Sequence, residues 1–153
     1  MKSSAQNYAL WLLGKRDYSV GKIKLKLKEK DFSQEEIDHT ISYLLDKKFI
    51  DDERFAKNFV RSQINIKPIG KYKLKMKLKE KLISDEIVNK VLADISDEDE
   101  KNFAKELVRK KYQILNIKYK GDKNKIRERL FQQLLNRGFD YEIVKAVLDN
   151  SIY

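Results

Sequence analysis

The chain has no cysteine, which excludes disulfides and thiolate metal sites and fits a reducing compartment. Its single histidine, His39, excludes a histidine pair for a metal or a histidine relay within the chain, and is expected to be a surface or half-buried residue. One proline and five glycines in 153 residues leave few places where a helix must stop. No stretch approaches the roughly 18 apolar residues of a membrane span, and Met1 leads into an amphipathic segment rather than an apolar signal core. Neither a phosphate-cradling glycine loop nor a Gly-x-Ser-x-Gly elbow occurs. Acid is scarce relative to base, with 24 Asp and Glu against 34 Lys and Arg, a formal charge of +10. These features lead us to expect a soluble, cytoplasmic, all-helical chain; it is further expected to be a monomer with no cofactor, no metal and no membrane partner. The charge excess calls for a polyanionic or acidic partner.

The stretch Phe49 to Ser62 reads as a capped helix. Asp51 suits the N-cap, Asp52 and Glu53 suit the positive helix end, and Ile50 and Phe55 fall at the two positions of a hydrophobic staple. Phe55, Ala56, Phe59 and Val60 recur at helical spacing, while Arg54, Lys57, Asn58 and Arg61 face elsewhere. The same template occurs 47 residues earlier, as Tyr8-Ala9 and Leu12-Leu13, and 48 residues later, as Phe103-Ala104 and Leu107-Val108.

The segments Gly21–Lys30 and Gly70–Lys81 alternate lysine with apolar residues, which read naively is a half-buried strand. Lys, Leu and Glu are helix formers, β-branched residues are scarce, and a lysine ladder would set like charges opposite one another. A third copy, Ile126 to Leu135, has helical spacing; its Leu130 and Leu134 match Leu74 and Leu78 at an offset of 56, and these match Ile23 and Leu27 at 51. All three segments are therefore expected to be helices. Third segments keep the same register: Ser33, Ser84 and Asp140 are the caps, Ser33 with Glu36 forms a capping box, and Ile37, Val88 and Val144 begin the buried face. The expectation is an elongated array of three tandem three-helix repeats, at 1–47, 48–96 and 97–153, with the acidic run Asp94–Glu100 as the linker before the third.

Charge is the one feature above background. Lysines 22, 24, 26, 28 and 30, with 71, 73, 75, 77, 79 and 81, crowd the second helices of the first two repeats, where Glu29 and Glu80 are nearly the only local acids. Repulsion between such neighbours costs roughly a few tenths of a kcal/mol per i,i+4 pair, a cost that an anionic partner would offset. Nothing is placed for sequence-specific readout of base edges. Trp11 and the tyrosines are expected to fill cores between helices, the alternative being that they stack bases. The carboxylates Asp97 to Glu100 are expected to cap the following helix, a metal-dependent nuclease built on them being the enzymatic alternative.

The Phe49–Ser62 stretch closely resembles the central motif of the RecX family, bacterial regulators of the RecA recombinase: an apolar pair, Asp-Asp, Arg-Phe-Ala, then an apolar-Arg-Ser ending. Arg16-Asp17-Tyr18-Ser19 is similar to the family's Arg-x-Tyr-Ser, and Gly70, Lys73-Leu74 and Leu78 to Ile83 are similar to its Gly-x-x-x-Ile…Leu-x-x-Lys-Gly-Ile. Asp31 and Leu82 depart from it where glycine is usual, and Lys73 where arginine is usual. The resemblance implies a curved repeat array that binds in the groove of the RecA–single-stranded-DNA filament. It further implies inhibition of RecA's ATPase, strand exchange and co-protease activities by blocking filament growth or promoting disassembly. On that reading Lys22, Lys24, Lys26, Lys28, Lys71, Lys73, Lys75, Lys77 and Arg61 contact the filament, or single-stranded and possibly double-stranded DNA. Asp51, Asp52, Arg54, Phe55, Ala56 and Phe59 are mainly structural, holding adjacent repeats together. The alternative is a nonspecific DNA-binding protein acting on DNA directly.

Overall fold

A computed structural model describes residues 4–150. Among the described residues the chain is all-α, with nine helices: α1 Ala5–Lys15, α2 Val20–Glu29, α3 Gln34–Asp46, α4 Asp52–Ile66, α5 Lys71–Glu80, α6 Asp85–Ala93, α7 Asp97–Lys118, α8 Lys123–Asn136 and α9 Tyr141–Asp149. The lysine-alternating segments are α2 and α5, helices as expected. At about 100° per residue, Ile23 and Leu27 fall side by side and are fully buried. Leu25, between them in sequence, lies on the opposite face and is exposed, and Met76 repeats this in α5 beside buried Leu74 and Leu78. The period-two pattern therefore does not survive as a buried face.

Caps set the helix starts. Ser4, Ser19, Ser33, Ser96, Asp122 and Asp140 each accept a backbone N–H of the first turn. The Ser33–Glu36 capping box is complete. A second box, Ser96 with Asp99, shows that only residues 94–96 of the acidic run connect helices, because Asp97–Glu100 already form the first turn of α7. That shortens the expected linker.

Helix packing groups the described residues into two compact units. One joins residues up to Phe59 with Leu78–Val91; the other joins Val60–Lys77 with residues from Leu92 onwards. In the first, α1, α2 and α3 pack mutually around Ala9, Leu12, Ile23, Leu27, Ile37, Leu44 and Ile50. In the second, α7, α8 and α9 close on Ala104, Val108, Ile126, Leu130, Leu134, Val144 and Leu148. Burying each such Leu or Ile stabilises by roughly 1.5–3 kcal/mol.

The turn after each second helix is one motif made three times. Asp31, Leu82 and Gly138 hold φ of 59°, 61° and 82°. Each is followed by an apolar residue whose N–H returns to the carbonyl of Leu27, Leu78 or Leu134. This is the Schellman arrangement, which favours glycine at the left-handed position. The glycine-type turn is thus retained at both sites that lack glycine, with the strain of two left-handed L-residues. Asp31→Gly should raise stability by about 0.5–1 kcal/mol, measured by urea unfolding. Gly138→Ala should lower it by about 2 kcal/mol, since a Cβ there would also collide with the backbone of Lys73.

Candidate functional site

The motif acids have separate tasks. Asp51 caps α4 by accepting the N–H of Arg54 at 3.0 Å. Asp52 reaches 32 residues back, and its carboxylate accepts the N–H of Val20 at 2.8 Å, capping the first turn of α2. Beside it, the Ser19 hydroxyl donates to the carbonyl of Lys81, and Gly21 lies so close to Leu82 that a Cβ would come within 2.6 Å of the leucine Cβ. Ser19 is fully buried.

The other compact unit repeats this joint at the same template positions. Glu100, 48 residues after Asp52, accepts the N–H of Lys71, 51 residues after Val20, at 3.0 Å. Gly70 takes the place of Ser19 and its backbone N–H, rather than a hydroxyl, donates to the carbonyl of Arg137 at 2.8 Å. The Tyr72 N–H donates to the carbonyl of Gly138 at 3.2 Å. A Cβ on Gly70 would overlap the backbone of Gly138 and Phe139. Each joint thus pins the start of one repeat's second helix to the next repeat, by an acid from its first helix and a turn after its second.

Burial pushes both joint carboxyls above their ordinary pKa, desolvation outweighing the hydrogen bond from Val20 to Asp52 and from Lys71 to Glu100. Glu100 retains 3% of its exposure. Glu53 is the opposite case: hydrogen bonds from Lys57 and Lys90 hold it down at about 2. The remaining motif residues stay near the joint. Arg54 donates to the carbonyl of Lys48 at 3.4 Å, Ala56 is buried, Phe55 and Phe59 are half-buried, and Arg61 is exposed.

The predicted lysines do not form one face. Lys22 and Lys26 flank the buried stripe of α2 on one side, Lys24 and Lys28 on the other; on α5 their template equivalents Lys73 and Lys77 flank one side, with Lys75 opposite beside Lys71. A two-residue step turns a helix by about 200°, so alternation yields two rows in place of one. Lys71 is drawn into its joint, its ammonium 3.6 Å from Asp97, and Lys26 pairs with Glu29 at 3.1 Å. Lys22 and Lys26 line a groove of about 340 Å³ with Arg16 and Lys81, in which Asp17 and Glu29 supply counter-charge.

A concentration of positive charge forms around the Lys73–Lys77 row of α5. A cleft of about 450 Å³ is lined by Lys67, Lys73, Lys77, Lys111 and Arg137 with Gln63, Gln133, Asn136 and Ile69. Among the described residues no carboxylate lines it and none of its five cations has an ion pair. The Lys73 ammonium donates to the carbonyl of Asn136 at 3.3 Å. Lys73 and Lys77 come from α5 and Lys111 from α7, while Lys67 follows α4 and Arg137 caps the end of α8, so Lys67, Lys111 and Arg137 are not legible as a group in sequence. The nearest signal is that Arg137 stands where Lys30 and Lys81 stand in the other repeats.

Two expectations are overturned or absorbed. Trp11, expected in a core, is 54% exposed because its position faces away from the α1 residues that pack, Ala9 and Leu12. Three of the four Asp97–Glu100 carboxylates are engaged in structural bonds: Asp99 accepts from Ser96, Glu100 from Lys71, and Asp97 meets Lys71. No group of acids, histidine or cysteine able to hold a metal ion occurs among the described residues, and no described helix is long and apolar enough to cross a membrane.

Comparison with known proteins bears on the whole arrangement. Residues 51–92 match the family described as RecX, second three-helix domain, and residues 5–44 match RecX, first three-helix domain. The chain is 39% identical over 145 residues to a Regulatory protein RecX of Chlorobium phaeobacteroides (strain BS1), covering 95% of this chain and 91% of that one. It is 34% identical over 140 residues to one from Haemophilus influenzae (strain ATCC 51907 / DSM 11121 / KW20 / Rd), covering 91% and 89%. The crystal structure of RecX from Lactobacillus salivarius superposes with a TM-score of 0.85 at 26% identity, covering 95% and 92%.

The joint carries its own test. A raised folded pKa means that the stability from Asp52 and Glu100 is fully present below the unfolded carboxylate value and is lost as pH rises through the folded one; for Glu53 it is present above the unfolded value and lost as pH falls towards 2. Asp52→Asn keeps an oxygen acceptor for Val20 and should stay within about 0.5 kcal/mol of the parent near pH 7, with a flatter profile above about pH 4. Asp52→Ala leaves that N–H unpaired and should cost about 1–2 kcal/mol. Denaturant titrations across this pH range measure both.

Proposed function

The chain belongs to the RecX family, and from that premise we propose that it is a non-enzymatic cytoplasmic regulator that inhibits the RecA recombinase. It does so by binding in the groove of the RecA–single-stranded-DNA filament, limiting filament growth or promoting disassembly. The observation that carries this reading is the carboxylate-free cleft at Lys67, Lys73, Lys77, Lys111 and Arg137. Five unpaired cations repel one another, and an anionic partner relieves that repulsion while releasing its own counterions. Lysines predominate there; as point charges they suit phosphates in varied orientations, whereas carboxylate recognition favours the planar fork of arginine. No aromatic side chain lines the cleft, so contact there is with backbone phosphate and tolerates any sequence.

In this reading Lys24, Lys28, Lys73, Lys75 and Lys77 remain contacts, together with Lys22 and Arg61. Lys26 and Lys71 contribute less because they already have carboxylate partners. The same cleft also suits direct, nonspecific DNA binding, and a salt titration against naked DNA and against the RecA filament separates the two. Equal affinity for both would favour the direct reading. Reversing Lys67, Lys73, Lys77 and Lys111 together to Glu should abolish inhibition of single-stranded-DNA-dependent RecA ATPase at substoichiometric protein while leaving helical circular dichroism intact. Undiminished inhibition would remove the cleft from the mechanism.

A further inference from the structure

We propose that the exposed face of α1 is a stacking platform for an unpaired base of single-stranded nucleic acid, with Trp11 as its centre. This rests on the nucleic-acid partner proposed above and adds a site that is separate from the cationic cleft. Trp11 is the only tryptophan in the chain, and at 54% exposure it takes no part in the core of its unit. Its template equivalents in the other two repeats are Asn58 and Glu106, so the fold itself asks for a polar residue at this position. Tyr8 stacks beside it at 5.8 Å with 21° between ring planes, and Phe32 lies 6.4 Å from Tyr8, making a row of three rings.

Two cations lie over the row. The Lys15 ammonium rests 3.7 Å from the Trp11 ring centroid and that of Lys30 lies 5.6 Å from Tyr8. Neither has an ion pair among the described residues. Rings in a row with one lysine over the end ring Trp11 and another over the middle ring Tyr8 have the composition of a single-strand binding surface: π-faces take successive bases regardless of sequence, and the ammonium groups take neighbouring phosphates. A duplex, whose bases are already stacked, offers nothing to the indole. Lys15 sits on a flexible exposed side chain, so an incoming base can displace it from the ring towards a phosphate.

Having one tryptophan makes the test direct, because all indole emission reports this site. Full-length protein is titrated with a short fluorescein-labelled oligothymidylate, following anisotropy for binding and, with unlabelled strand, tryptophan emission for stacking. The expected result is binding accompanied by strong quenching, whereas duplex DNA of equal length and polyglutamate leave emission nearly unchanged. Trp11→Ala should weaken oligothymidylate binding about tenfold and Trp11→Phe much less, with circular dichroism showing both folded. Binding by anisotropy without quenching would overturn the platform and leave the regulatory reading standing. Equal quenching by polyglutamate would reassign the surface to an acidic protein, and equal quenching by duplex would reduce it to charge; either overturns the proposal, as does failure to bind oligothymidylate at all.

Discussion

A backbone amide at the start of a helix, bonded to a carboxylate from a later helix that packing takes out of full contact with water, is the interaction on which the rest of this structure depends. Val20 to Asp52 and Lys71 to Glu100 are the same bond written twice. Helix starts expose amide groups without intrahelical partners and carry partial positive charge, so an acid is a favourable neighbour. Burial works against it, raising both carboxyl pKa values. The bond persists because the alternative is an unpaired amide in the same enclosed place.

The joints also determine which cations are available. Lys71 has its backbone committed to Glu100 and its ammonium near Asp97, while two and six residues on, Lys73 and Lys77 emerge into a cleft with no acid at all. Asp99 and Glu100 of α7 are used in capping and in the joint, while Lys67, Lys73, Lys77, Lys111 and Arg137 gather where no carboxylate lies among the described lining residues. That division of labour makes a +10 chain locally much more cationic than its average.

The helices were legible because each repeat restates the same buried positions: Ile23, Leu74 and Leu130, then Leu27, Leu78 and Leu134, are almost fully enclosed. Local capping was equally readable, since Ser33 with Glu36 is a bond between near neighbours. What escaped were contacts between distant residues. Asp52 differs from Asp51 in sequence by one place, yet only the packing shows that one caps its own helix and the other caps α2. The cleft needed packing to bring Lys67, Lys111 and Arg137 together, and no spacing records that. The general tendency of aromatic residues to fill cores points Trp11 inward, whereas its template equivalents Asn58 and Glu106 are polar and the indole is exposed.

Where the two joints differ, they differ as lock and key. The first sets a bare α-carbon, Gly21, against the side chain of Leu82; the second sets Tyr72 and Lys73 against the bare α-carbon of Gly138. A leucine brought into the second seat would run into the main chain of Lys73, and a tyrosine brought into the first would run into Leu82. Sister modules cut from one template are therefore not interchangeable, and the chain excludes shuffled or wrongly paired assemblies of itself through the sizes of two residues.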